Sequence, residues 1–283
     1  MSGVRPVPIE TLHLFPVLDE KLLSFLRGLQ PADWELQTLA PKWKVMDVAL
    51  HLMAGNLQTL SMLRDGYFGV APADPTSYEG IVQFLNELNA DWIKATRRLS
   101  PRIVMEMLES TGREYTTFLR TLDPWQTAGF SVGWAGEQTS LNWFHIARDY
   151  TEKWHHQQQI RQAVGRGEDE LLTPTLYQPF LATCMRALPH HYRHVSAEPG
   201  QTLRFTVTGE GGGTWFLQYN SAGQWELQES ATSPCVAVVT IDGTVAWRLF
   251  TKSLPRTQAE AHVQLTGDKG LGEQVFNLIA IMG

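Results

Sequence analysis

Cysteine is scarce in this 283-residue chain: only Cys184 and Cys235 occur, and neither belongs to a C-x-x-C pair. A disulfide scaffold is thereby excluded, and two buried thiols in a reducing compartment is the simpler expectation. No uninterrupted apolar run is long enough to span a bilayer, and Met1 to Pro8 lacks a signal-peptide core. A cytoplasmic protein with no membrane partner is expected. Basic charge is not in excess either. With 23 Lys and Arg against 29 Asp and Glu the net charge is -6, which argues against a surface that coats nucleic acid. Repeats and low-complexity tracts are absent. What remains is an ordinary globular composition, 43% hydrophobic and 18% charged, on a chain long enough for two domains.

The first 165 or so residues carry helical periodicity. Leu14, Leu18, Leu22, Leu23 and Leu26 mark one buried stripe, ended by Gly28 and Pro31. Further helices are predicted from about Val45 to Arg64, Tyr78 to Leu99 and Pro101 to Leu122. An irregular stretch, Asp123 to Gln138, precedes a helix that ends at Gly165 and for which Thr139 or Ser140 is the predicted N-cap. Composition then changes. After the polar link Arg166 to Glu170 comes one amphipathic helix, about Pro174 to His194. Short alternating segments follow at Thr202–Thr208, Thr214–Tyr219, Trp225–Gln228 and Val236–Ile241. Thr244 to Thr251 reads as helix, Ala261 to Thr266 as strand and Leu271 to Met282 as a final helix. The predicted fold class is α plus α+β: a helical bundle over 1–168, then a smaller α+β domain over 169–283.

Two helical stretches far apart in sequence carry potential metal ligands. Asp47 and His51 stand four apart on the second helix, and Arg148, Glu152 and His156 stand four apart on the fifth. Side chains at that spacing share one helix face. His51, Glu152 and His156 together offer two imidazoles and a carboxylate, enough to hold a divalent metal with a position left open. The set suits zinc, and equally non-haem iron. Asp47 could accept the second ring proton of His51, and Arg148 could steer the Glu152 carboxylate. The plain alternative is a lone core histidine and a solvated helix face. A third option uses Glu152-x-x-His155 with Glu10-x-x-His13 in a di-iron bundle. It leaves His51 unused, and Pro16 sets His13 at or before its helix.

The segment Trp43-x-Val45-x-Asp47-x-x-x-His51-Leu52, with Arg148-x-x-x-Glu152-x-Trp154-x-His156-Gln-Gln-x-Ile160-Arg161, resembles the mycothiol-dependent maleylpyruvate isomerases of the DinB-like superfamily. Ile241 to Lys252 and Val263 to Asp268 resemble the sterol-carrier-like domain that follows the bundle in such proteins. The resemblance implies a four-helix bundle holding zinc through His51, Glu152 and His156, which selects His156 over His155. It also implies a low-molecular-weight thiol, mycothiol or bacillithiol, attacking an electrophilic small molecule. For an isomerase the thiol adds to a conjugated double bond, which rotates before the thiol leaves; for an S-transferase the adduct is released. A basic residue of the C-terminal domain is implied near the metal, with Arg248 the candidate for a catalytic role. Two other readings stay open: a binding module with a structural metal, and a zinc hydrolase that needs no thiol.

Overall fold

The computed structural model describes residues 7–74, 77–231 and 233–281. Helix α1 (Phe15–Arg27) buries the predicted leucine stripe, and α2 follows as Val45–Thr59. A five-residue π turn, Leu60–Arg64, extends α2. Helix α3 (Tyr78–Thr96) starts where Ser77 Oγ accepts from Gly80 N, and α4 (Pro101–Leu119) where Ser100 Oγ accepts from Ile103 N. Each hydroxyl satisfies one of the orphan donors of a first turn. Helix α5 (Asn142–Val164) completes the bundle and ends on left-handed Gly165. α1 packs against α4 and α5, α2 against α4 and α5, and α3 lies on α2.

The start of α5 departs from expectation, because neither Thr139 nor Ser140 caps it. The N-cap is Leu141, without a side-chain bond. Loop carbonyls satisfy the first amides instead. Asn142 N donates to Gln126 O at 2.9 Å and Trp143 N to Pro124 O at 3.0 Å. Ser140 bonds Glu137 and accepts from Val132 N.

In the C-terminal part, α6 (Pro174–Met185) and α7 (Leu188–His191) replace the single helix predicted to His194. Pro189 lacks an amide donor and its ring restricts the residue before it, so the helix restarts rather than continues. Strands β1 (Thr202–Val207), β2 (Gly213–Tyr219), β3 (Trp225–Gln228), β4 (Ala237–Ile241) and β5 (Val263–Gly267) form one sheet in the order β3-β2-β1-β4-β5. All pairs are antiparallel except β1 with β4, where Phe205 lies opposite Val239. Leu203, Phe205 and Val207 alternate into the core. The predicted last helix is shorter than expected: one turn, Lys269–Gly272, a 3-10 segment, Glu273–Asn277, and then extended chain. Its extended end docks on the bundle-facing helix α8 (Gly243–Phe250), where Ala280 N donates to Phe250 O at 3.0 Å. Met282 lies outside the described residues.

α8 closes on Lys252, the one non-glycine among the described residues with positive φ (56°), and Ser253 N donates back to Arg248 O at 2.8 Å. This is the helix-ending geometry glycine usually provides, and a side chain there costs about 1 kcal/mol.

The larger hydrophobic core runs without interruption from the bundle into the sheet, through Phe15, Trp154, Tyr177, Phe205 and Trp247. Trp154 stacks on Tyr177 (4.9 Å, 10°), lies 4.3 Å from Phe180 and meets Trp247 edge-on. A second core, with Trp34, Leu50, Met53 and Ile160, is confined to the bundle. Cys184 is buried and Cys235 half-exposed, and both are free thiols, so the expectation of two buried ones holds for Cys184 alone. No helix among the described residues is long and apolar enough to cross a membrane.

Candidate metal centre

The two ligand-bearing helices meet as the spacing requires. α2 packs on α5, and one ligand atom from each of His51, Glu152 and His156 lies within 4.8 Å of the others. Among the described residues this is the one group of three or more potential ligands that converge in this way. Glu152 Oε2 and His156 Nε2 are 3.5 Å apart. Two ligands on a tetrahedral ion at bond lengths near 2.1 Å stand about 3.4 Å apart, so this edge is already at coordination spacing.

The surroundings prepare the rings as ligands. His156 Nδ1 donates to Gln159 Oε1 at 2.9 Å, which fixes the tautomer and leaves Nε2 with its lone pair. His51 keeps a buried Nδ1 with no protein partner. An orphaned buried nitrogen carries a desolvation cost that a cation would relieve. The His51 and His156 rings meet edge-on at 4.6 Å, and the Trp43 ring lies 4.6 Å from His51 and 5.9 Å from His156. His155 stacks on His156 at 3.9 Å but donates its own Nδ1 proton to Thr151 O, one turn back.

Electrostatics agree with that role. Burial, with His156 beside it, holds the His51 imidazole down at about 3, against the opposing pull of Glu152 and a hydrogen bond with Asn89. Burial likewise lowers His156. Burial works to raise Glu152, but its bond to His156 and the proximity of His155, His156 and the Arg148 guanidinium outweigh it and leave the carboxyl at about 2. At neutral pH the cluster therefore presents two neutral imidazoles and one carboxylate, the protonation states a divalent cation needs.

Three sequence expectations change here. Asp47 does not reach His51. It accepts from Lys44 N at 3.0 Å, capping its own helix, and takes a two-point ion pair from Arg97 at 2.9 Å for each contact. The Asp47→Ala variant is therefore expected to lose about 1–2 kcal/mol in a denaturant titration while its metal content stays that of the parent. Arg148 pairs with Asp149 at 3.0 Å and meets His145 Nε2 at 2.9 Å, though its charge still acts on Glu152. Tyr115 completes that buried group, donating to Asp149 Oδ2 at 2.5 Å. Arg248 is not among the groups acting on the three ligands; its charge acts on Glu168, and its Nε is buried without a partner. The di-iron arrangement fails on position, since Glu10 and His13 are exposed, His13 in a 3-10 turn ahead of α1.

Asn89 on α3 and Gln159 on α5 escaped the sequence reading. Gln159 had a visible signal, three residues after His156 on one helix face. Asn89 had none, because the register of α3 against α2 is not written in either helix alone.

The profile of the mycothiol maleylpyruvate isomerase N-terminal domain matches residues 15–161, just over half of the chain. The chain belongs to this family. Among solved structures, the mycothiol-dependent maleylpyruvate isomerase is similar at 12% identity, with 92% of this chain and 93% of that one covered and a TM-score of 0.54. A histidine-to-alanine mutant of a mycothiol-dependent maleylpyruvate isomerase gives 13% identity, the same coverage and a TM-score of 0.50. These likenesses extend beyond the family domain and show that the α plus α+β fold is shared. No curated protein matches the chain.

Proposed function

We propose that the protein is a metal-dependent enzyme of the maleylpyruvate isomerase type, acting on an electrophilic small molecule with a low-molecular-weight thiol. The observation that carries this reading is the convergence of His51, Glu152 and His156 from two helices, with no fourth protein ligand beside them among the described residues. Three ligands with a free position are the pattern of catalytic rather than structural sites, and of the metals that two imidazoles and one carboxylate suit, the family resemblance favours zinc. A cation bound there would lower the pKa of a coordinated thiol so that the thiolate forms at neutral pH.

The chain's own groups do the rest. Gln159 holds the His156 ring by its Nδ1 proton, and Glu152 stays ionised without a proton to displace. Trp43 and His155 cover the two imidazoles and keep water from their faces. Family membership supports mycothiol as the thiol, with bacillithiol the runner-up.

The deciding experiment incubates zinc-loaded protein with maleylpyruvate, or another conjugated electrophile, with and without mycothiol. Thiol-dependent turnover is the expected result, as cis–trans conversion or as a released thioether. Consumption of substrate at the same rate without thiol would instead identify a hydrolase working through metal-activated water. Saturable binding without turnover would identify a binding module.

A further inference from the structure

We propose that the substrate is an aromatic carboxylic acid, held on a strip between α2 and α5 with its carboxylate on Arg148 and its ring against Phe130 and Phe68. The proposal narrows the substrate class of the function above and rests on it.

Two contacts bracket the strip. At one end His51 of α2 converges with Glu152 and His156 of α5. At the other, Phe68, in the loop that follows α2, meets Phe130 edge-on at 6.4 Å, and Phe130 stacks on His145 of α5 at 6.2 Å and 28°. Between these ends α2 leaves room. Gly55, one turn after His51, is exposed, and nothing stands within 4 Å of the point its Cβ would take. Arg148 is its counterpart on α5, half-buried and one turn before Glu152, which sets their Cβ atoms about 6 Å apart. From His145 to Glu152 the helix rises about 10 Å, enough for an aryl group joined to a carboxylate through a short chain.

Arg148 is held as an anion receptor. Its Nη2 donates to His145 Nε2 at 2.9 Å and lies 3.0 Å from Asp149 Oδ1, and Asp149 is itself fixed by the Tyr115 hydroxyl. Nε and Nη1 make no hydrogen bond among the described residues and, unlike the Nε atoms of Arg161 and Arg248, are not shut off from solvent. A guanidinium oriented through one nitrogen, with the other two open, suits the two oxygens of a carboxylate. Beyond it the wall turns apolar, with Phe130 38% and Phe68 54% exposed. Open rings beside a placed cation are the mixed lining of a small-molecule site. A small diacid would use Arg148 and leave both rings in water.

The test titrates the full zinc-loaded chain calorimetrically with 3-benzoylpropionate, which has the ring and the carboxylate but no conjugated double bond to react. Binding is expected in the parent, and about tenfold weaker binding of succinate, which carries a second carboxylate in place of the aryl ketone. Affinity should fall about fivefold in Phe130→Ala and about tenfold in Arg148→Lys, which keeps the charge but loses the fork. Gly55→Leu should abolish binding by filling the strip, while its melting midpoint equals or exceeds the parent's, because leucine is the stronger helix former. His51→Ala should bind the probe as the parent does, since Arg148 rather than the metal takes the carboxylate. No binding to the parent, undiminished binding to Gly55→Leu or Phe130→Ala, succinate as tight as the aryl acid, or lost affinity in His51→Ala would each overturn the subsite. Thiol-dependent turnover of maleylpyruvate by a parent that does not bind the aryl acid would overturn the subsite alone. The probe bound as expected, with no thiol-dependent turnover of any electrophile, would overturn the isomerase reading and leave the subsite standing.

Discussion

Replacing Glu152 or His51 by alanine is expected to reduce metal in the purified protein from about one ion per chain to a small fraction of that. Each substitution removes one of three protein ligands, and the remaining pair has no substitute nearby among the described residues. His155 does not converge with them, its ring being turned back along the helix to Thr151 O. Gln159→Ala should sit between parent and ligand variants. It keeps all three ligands but frees the His156 ring, which at comparable sites weakens metal binding by about 10–100-fold. Elemental analysis after dialysis against a mild chelator would rank the four proteins. The fold should survive, since none of the three ligands belongs to either hydrophobic core. Added zinc should raise the parent's melting midpoint, by about 2.7 kcal/mol of stabilisation at a hundredfold excess over Kd, and leave that of Glu152→Ala unmoved. One ion per chain retained in both ligand variants would end the assignment of these residues.

The convergence of His51, Glu152 and His156 was legible in the sequence because it depends on local periodicity. Glu152 and His156 share a face of α5 by spacing alone, and only the meeting of α2 with α5 had to come from tertiary structure. Strand positions were legible for a similar reason: Leu203, Phe205 and Val207 alternate over a half-covered sheet. What failed turned on competition between partners. Asp47 is four residues from His51, but it is also three from Lys44 at a helix start, and the orphan amide there takes the carboxylate first. The break at Pro189 was written in the chain, yet apolar periodicity from Leu176 to Tyr192 masked it. Arg248 was placed by resemblance, lies outside the residues that the family profile matches, and a solved structure at 12% identity shares a fold without fixing which basic side chain faces a site. The cap of α5 was misplaced because carbonyls of Gln126 and Pro124, in the loop well upstream, satisfy its first amides, a contact no local window contains.

Trp154→Ala should be the most destabilising single change in the chain while leaving the metal site intact. Trp154 lies between Glu152 and His156 in sequence, but at about 100° per residue it points to the opposite side of α5. That side is the joint of the molecule. The indole is fully buried, stacked on Tyr177, close to Phe180 and edge-on to Trp247, and its Nε1 donates to Leu171 O at 3.3 Å. Truncation opens a cavity between bundle and sheet, and such losses cost about 3–5 kcal/mol. For a chain of this size the melting midpoint should fall by roughly 10 °C. Tyr67, well exposed in the loop after α2, is the control: Tyr67→Ala should move stability by no more than about 0.5 kcal/mol. Metal per folded chain should be the same in both variants and the parent, because the ligand face of α5 is untouched. A Trp154→Ala protein that melts with the parent would mean that the stacked rings do not join the two parts. Loss of metal alongside a normal midpoint would mean that α5 transmits the packing of one face to the geometry of the other.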